Sequence, residues 1–418
     1  MKKLMLVLFF FLFSSVSLAQ NRFLIYMDVN QNNHLKAYGL AYGILHQGEK
    51  IEWLLNYRGG SFLTNDSQPL RQEASIRGVS YEIIPESSIP NLYQEIENNN
   101  MERVLLEKAP LVAIYTPPGK LPWDDAVTLT LTYAQIPYDK VWDEEVLAGK
   151  LVKYDWLHLH HEDFTGQYGK FYSSFYNATW YKQQVFNYTA AAREAGFSTV
   201  PQHKNAVARA IKSFVSRGGF LFAMCAACDS IDISLAATGI DIVPSQIDGT
   251  PIGPNAQKKL DFSQTFFFTN FKVDTNPLHY EFSNIDVSNY SIPENSGLED
   301  FTLFEFSAKF DPVPTMLTQN HTAKIKGFFG QTTSFNMAVI KDSAIIMGRV
   351  VSGSRAKYIH TNYEDGTVTF YGGHDPEDYS HKVGDPPTNL DLHKNSQGYR
   401  IILNNILFPA AKKFKRKT

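Results

Sequence analysis

The sequence predicts an α/β fold, a parallel sheet flanked by helices on both faces. Three observations carry this. Short apolar runs alternate with helical windows through the first half of the chain. Hydrophobic residues make up 44% of the 418 positions and charged residues 19%, which supplies a large core and excludes a disordered chain. Only two cysteines occur, so packing rather than a disulfide framework must hold the fold. A chain of this length has room for two to three domains at about 100–200 residues each.

Residues 1–19 read as a signal peptide. Lys2 and Lys3 precede an apolar run of about ten residues, too short to span a bilayer. Ser17 and Ala19 place small residues just before Gln20, so the mature chain is expected to begin there and to be periplasmic or secreted. No later stretch reads as an integral membrane segment.

Residues 20–107 form an N-terminal α/β extension. Strands are expected at 22–28, 51–56 and 78–85. A helix is expected over His34–His46, with Leu35, Tyr38, Tyr42 and Leu45 on one face. Gly39 and Gly43 weaken that helix, at about 1 kcal/mol each against alanine, and Gly48 ends it. Residues 108–244 open the main α/β core. A buried-type strand at 111–115 is stopped by Pro117-Pro118-Gly119. The helix over 123–134 has Asp124 and Asp125 in its first turn, where the helix dipole favours negative charge. Strands follow at 140–142 and 151–159, then helices over 181–195 and 203–216. The strand Phe220–Met224 leads into a helix over 225–237.

Residues 245–340, rich in Pro, Asn, Thr and Phe, read as an irregular β-rich insertion of loops and short strands. The core then closes over residues 341–418. Strands are expected at 343–347, 358–361 and 367–371, with a last helix over 399–408 and a basic tail at 412–417.

The formal charge is −3, and loss of Lys2 and Lys3 makes the mature chain more acidic. That opposes the basic face a nucleic acid needs. No G-x-G-x-x-G or P-loop occurs. Aromatic residues stand at 14% and read first as large core side chains, with a surface for a glycan, peptide or other partner as the alternative. The expected partner is a small molecule, a glycan or a peptide.

Sites in parallel sheets lie at the carboxyl ends of strands, and three polar clusters fall there. Cys225 stands between alanines at a strand-to-helix junction, Ala223-Met224-Cys225-Ala226-Ala227. A nucleophile elbow needs small neighbours because its turn is sharp. A helix N-terminus lowers a thiol pKa and offers oxyanion donors. The same window suits a buried structural thiol, or one half of a disulfide with Cys228. His374 ends the last strand, and Asp375, Glu377 and Asp378 follow it as candidates to orient its ring. A Cys225–His374 pair with Asp375 or Glu377 would follow the logic of acyl transfer.

The third cluster is His158-Leu159-His160-His161-Glu162-Asp163. On a strand, His158 and His160 share a face and His161 points to the other. Two imidazoles and a carboxylate suit zinc, with His158, His160 and Glu162 as the candidate ligands. Otherwise His158, His160, His161, Glu162 and Asp163 line the cleft. Weaker signals are the stretch 120–125, at the cleft mouth or capping a helix, and the sequon Asn177-Ala178-Thr179.

The order of parts resembles the class I glutamine amidotransferase-like superfamily and its ThuA-like relatives. Ala113-Ile-Tyr-Thr-Pro-Pro-Gly119, Ile136-Pro-Tyr-Asp139, Leu151-Val-Lys-Tyr-Asp-Trp-Leu-His-Leu159 and Gly218-Gly-Phe-Leu-Phe-Ala-Met-Cys225 carry the likeness. Phe370-Tyr-Gly-Gly-His-Asp-Pro-Glu377 and a last helix look like the ThuA-like ending. The resemblance covers about half the chain. It implies a flavodoxin-like parallel sheet with Cys225 at the elbow. His374-Asp-Pro-Glu377 stands where the amidotransferases have His-x-Glu, and alanines replace both elbow glycines, so glutaminase chemistry does not carry over directly. The whole chain also looks like exported Bacteroidetes proteins labelled asparagine synthetase B, through Trp156-Leu-His-Leu-His-His-Glu-Asp-Phe-Thr-Gly166. The chemistry of that label needs Cys at position 2 and a Ser-Gly-Gly-x-Asp-Ser loop. This chain has Lys2 and no such loop.

Overall fold

The computed structural model describes residues 21–118, 125–288, 291–293, 296–311, 313–351, 353–380, 382 and 384–411. The expected signal segment 1–19, residues 120–124 and the tail 412–417 lie outside them.

The N-terminal unit holds β1 (Arg22–Ile25), α1 (His34–His46), β2 (Ile51–Leu55), β3 (Ser61–Asn65), α2 (Gln68–Arg77), β4 (Glu82–Ile84), α3 (Ile89–Asn98) and β5 (Glu102–Leu106). Its strand order is β4-β1-β3-β2-β5. Every pairing is antiparallel, so the parallel expectation does not extend to this unit. The cause is local. Asn56, Arg58 and Gly60 take left-handed backbone, with φ of 61°, 45° and 89°, and turn β2 straight back into β3.

Helix α1 has the bounds its periodicity predicts. The Asn33 side chain caps it by accepting from the Lys36 amide. Gly39 has a packing reason: a Cβ there would meet the Ala134 carbonyl oxygen at 1.8 Å. A glycine that weakens the helix lets it press against its neighbour.

The main sheet begins with β6 (Val112–Tyr115), α4 (Ala126–Ala134), β7 (Asp139–Val141), α5 (Asp143–Leu147) and β8 (Trp156–Leu159). Then come α6 (Tyr172–Phe175), α7 (Thr179–Glu194), α8 (Val200–Ser216), β9 (Phe220–Met224) and α9 (Ala227–Ala236). The insertion adds α10 (Ser245–Asp248), α11 (Ala256–Lys259), β10 (Phe301–Leu303), β11 (Lys324–Ile325) and β12 (Phe335–Asn336). The chain closes through β13 (Ile345–Val350), β14 (Arg355–Tyr363), β15 (Gly366–Tyr371) and α12 (Gln397–Leu407). The strand order is β11-β10-β13-β14-β15-β9-β8-β6-β7, with β12 beside β14.

The five strands from β15 to β7 pair in parallel. The remaining pairings are antiparallel, so the sheet is mixed. Every residue of β6, β8 and β9 is buried, as strands covered on both faces require. The insertion is no separate body, because β10, β11 and β12 extend the same sheet. The strand expected over 151–159 is shorter because Lys150–Lys153 winds into a 3-10 turn.

Helix α12 ties the two sheets together through Arg400, which is fully buried. Its Nε donates to the Tyr38 hydroxyl at 3.0 Å, and Nη1 donates to the Met27 carbonyl at 3.0 Å and to His321 Nδ1 at 3.2 Å. Its Nη2 donates to the Gly59 carbonyl. The His321 ring stacks on His34 at 4.2 Å. Burial and the Arg400 charge push both imidazoles down, His34 to about 4 and His321 to about 3.

These imidazoles bind protons more weakly folded than unfolded. Their contribution is present above about pH 6.5 and is lost as pH falls towards 4, at up to about 1.4 kcal/mol per pH unit for each ring. Urea unfolding of wild type and His321→Gln between pH 7 and 4 checks this. The variant, whose amide oxygen still accepts from Arg400, should lose stability less steeply. Equal slopes would contradict it.

Candidate functional site at the strand ends

The parallel register of β8 and β9 sets His158 opposite Phe222. Its ring packs beside Trp156, at 5.9 Å, and Phe222, at 5.7 Å, which stack on each other at 5.5 Å. His158 Nδ1 lies 3.1 Å from the Phe222 carbonyl, which can only accept, so that nitrogen carries the proton. In the neutral ring, Nε2 is then an acceptor. His160 Nδ1, 3.1 Å away, donates to it. This leaves His160 Nε2 with its lone pair, 3.1 Å from His374 Nδ1. Three imidazoles thus form one buried row.

Asp125 stands beside the row. It is the N-cap of α4, where Oδ1 accepts from the amides of Val127 and Thr128. Its carboxylate also lies 3.5 Å from His158 Nε2 and 3.7 Å from His160 Nδ1. Burial pushes this carboxyl up, and positive charge on His158 and His160 pulls it below its ordinary range, so the lowered carboxyl belongs to the protonated row rather than to the neutral one. The sequence placed Asp125 in the first helical turn. It is one residue earlier, and its partners across the sheet end were not legible.

His161 does not face away from this row. Strand β8 ends at Leu159, so strict alternation stops there. The His161 ring lies 5.4 Å from that of His160 and 6.1 Å from that of His374. Glu162 is buried, accepts from the His160 amide at 3.2 Å, and has Oε1 3.7 Å from His161 Nε2. Burial, then the Asp125 charge, push it up to about 8. Asp163 serves the loop instead. It accepts from the amides of Thr165, Gln167 and Gly169 and from the Thr165 hydroxyl.

Beyond His161, Glu162 and Asp163 opens a small recess with about 10 Å³ of free space, room for about one water, with Tyr168, Phe171, Gln184 and Tyr188 on its other sides. These four residues carry no sequence motif, since α7 and the loop before it reach the strand ends only through the fold. Behind the Tyr188 wall, Lys204 Nζ donates to Asp143 at 2.8 Å and to the Tyr115 hydroxyl at 2.9 Å, and lies 4.7 Å from the Tyr188 ring.

Cys225 does form an elbow. Its φ is 51°, left-handed backbone in a non-glycine residue. Its amide donates to the Gly373 carbonyl at 3.1 Å, which holds the ends of β9 and β15 together. The thiol differs from expectation. Burial pushes it up to about 12, although the amides of Ala226 and Gln331 pull the other way. Gln331 comes from the insertion, which covers the elbow. Cys228 is also buried and raised well above its ordinary value. Both cysteines are free, so the Cys225–Cys228 disulfide is absent.

Asp375 and Glu377 are engaged away from the His374 ring. Asp375 accepts from the Tyr399 hydroxyl at 2.7 Å, the Thr388 hydroxyl at 2.8 Å and the Glu377 amide at 2.9 Å. Glu377 lies 3.0 Å from His393 Nδ1. The Asp378 amide donates to the Asp375 carbonyl, so this run shapes a turn after β15. For metal, two sets of ligand atoms lie within 4.8 Å of one another among the described residues: His160, His161 and His374, and Asp125, His158 and His160. Neither is the His158, His160, Glu162 set that local spacing singled out.

A thiol held near 12 is about one part in 10⁵ thiolate at pH 7. Iodoacetamide should leave Cys225 and Cys228 unmodified in the folded chain and label both after unfolding in guanidinium. Rapid labelling of folded Cys225 would contradict the buried-thiol assignment.

No protein-family model matches the chain, and no curated protein matches it. Solved structures match at low similarity. The cytoplasmic proteins STM1381 and STM3548 of Salmonella typhimurium are each 12% identical, over 72% and 73% of this chain and 99% and 100% of theirs, with TM-scores of 0.36 and 0.34. A catalytic mutant of Gan42B, a GH42 beta-galactosidase from G. stearothermophilus, is 10% identical over 64% of this chain and 28% of its own, with a TM-score of 0.26. Likenesses this weak carry no functional argument.

Proposed function

We propose that this chain is an exported hydrolase of the amidotransferase-like α/β class. The reading of export rests on the N-terminal pattern of Lys2, Lys3, the apolar run and Ala19. A flavodoxin-like core is supported by strand order, since β7-β6-β8-β9-β15 numbered along the chain is 2-1-3-4-5. The observation that carries hydrolysis is the gathering of His160, His161, His374 and Glu162 at one end of that sheet, with His161 and Glu162 lining a recess.

Hydrolysis needs a base for water and an acid for the leaving group. In this reading, a water in the recess gives its proton to His161 as its oxygen bonds the electrophilic carbon. The leaving group departs with the proton of Glu162, and His161 then returns its proton to Glu162 across their 3.7 Å separation. The free space in the recess, about 10 Å³, is close to that of a single water molecule. It holds the attacking water, and the scissile bond of a small molecule, glycan or peptide reaches it from the open side.

Nitrophenyl esters, nitrophenyl glycosides and aminoacyl nitroanilides sample the bond classes. One class should turn over, and Glu162→Gln should cut its rate about 10²–10⁴-fold with circular dichroism unchanged. Turnover of none of the three would overturn the hydrolase and favour a binding protein that uses the same recess. A second reading, Cys225–His374 acyl transfer, is favoured by the left-handed backbone at Cys225. Cys225→Ala separates the two: retained turnover supports the imidazole site, and lost turnover supports the thiol.

A further inference from the structure

We propose that His160, His161 and His374 hold one zinc ion, leaving its fourth coordination position for water on the recess side. This rests on the hydrolytic reading for its purpose and changes one role in it. A His161 that ligates the ion has no lone pair for water. With zinc bound, the ion would acidify the water, which loses its proton to solvent, while Glu162 remains the acid. The ligand geometry stands independently. The three ligand atoms lie within 4.8 Å of one another, and His160 and His374 are buried. His160 Nε2 and His374 Nδ1 are 3.1 Å apart. Two nitrogens bound at about 2.0–2.1 Å in a tetrahedron stand about 3.3 Å apart. The pair already has nearly the spacing of a coordination edge.

Proton placement agrees. The Phe222 carbonyl fixes Nδ1–H on His158, which in turn places Nδ1–H on His160. The nitrogen that His160 presents to His374 therefore carries the lone pair a metal requires. Asp125 stands on the N–H side of that ring, 3.7 Å away. A carboxylate behind a ligating imidazole orients it and raises its basicity.

The donor set selects the ion. Three imidazole nitrogens without thiolate or a cage of oxygens suit zinc rather than calcium or magnesium. Three protein ligands with one open position are the pattern of a catalytic rather than a structural zinc. His161 joins the ligand set to the recess, because it also lines that space. The other set, Asp125, His158 and His160, would need His160 to present Nδ1, the nitrogen that donates to His158. It would also take Asp125 from behind the ligand.

The test uses the full chain, expressed with zinc and dialysed against metal-free buffer. Elemental analysis should find close to one zinc per chain. His374→Ala and His161→Ala should each weaken zinc binding by more than the roughly 10–100-fold that loss of a group behind a ligand costs. Cobalt(II) added to the metal-free wild-type chain should give the strong visible absorption of a four-coordinate site, which keeps the test decisive where a variant fails to fold. Absence of both zinc and the cobalt spectrum in wild type would overturn the proposal. So would zinc retained by His374→Ala and lost by His158→Ala, which places the ion on the other set. Chelator-resistant nitrophenyl turnover in a zinc-free chain would sink this inference and leave the hydrolase standing. Bound zinc without turnover would do the reverse.

Discussion

The hydrogen bond from His158 Nδ1 to the Phe222 carbonyl is the constraint on which the site depends. It exists because β8 and β9 run parallel with His158 opposite Phe222. The ring is fully buried against the stacked pair Trp156 and Phe222, which limits its rotation to another acceptor. A buried donor left without a partner costs about 1–3 kcal/mol, which holds the proton on that nitrogen. From there each ring in the row dictates the protonation of the next. A backbone carbonyl in mid-sheet thereby decides which lone pair appears at the strand ends.

The insertion decides what else can react there. Gly373, with φ 95°, lies where a Cβ would press on the Phe328 ring at 2.5 Å. Gly330 lies where one would meet the His374 amide nitrogen at 2.4 Å. These two glycines let the insertion settle on the ends of β9 and β15. The settling brings Gln331 over Cys225, and burial outweighs both the Ala226 amide of the elbow and the Gln331 amide of the insertion, which would lower the thiol. The same cover leaves the His161 and Glu162 side open to the recess. One packing event thus silences the thiol and favours the imidazoles.

Local pattern carried much of the fold. Helix α1 and strand β9 have the bounds their periodicity predicts, because each is one apolar run with clear ends. The parallel core and the placing of Cys225, His158–Leu159–His160 and His374 at strand ends also followed from alternation of elements. What failed was pairing over long distance. His374 meets His160 across 214 positions, which no local spacing encodes. Asp375 and Glu377 neighbour His374 in sequence, yet Tyr399, Thr388 and His393 claim them. The N-terminal strands pair antiparallel, and at β2 and β3 the reversal comes from four left-handed residues, Asn56, Arg58, Gly59 and Gly60. Thiol acidity was misjudged for a related reason: it depends on the cover supplied by the segment with the least periodicity.

The central claim is that backbone geometry sets the proton positions along the imidazole row. Long-range proton–nitrogen correlation spectra of the ¹⁵N-histidine-labelled, metal-free chain at pH 7.5 report each tautomer directly. The account predicts protonation at Nδ1 of both His158 and His160, with His160 Nε2 showing the shift of an unprotonated nitrogen. Protonation of His160 at Nε2 would contradict it, because the row would then run in the opposite direction and His160 would have no lone pair to offer at the strand ends.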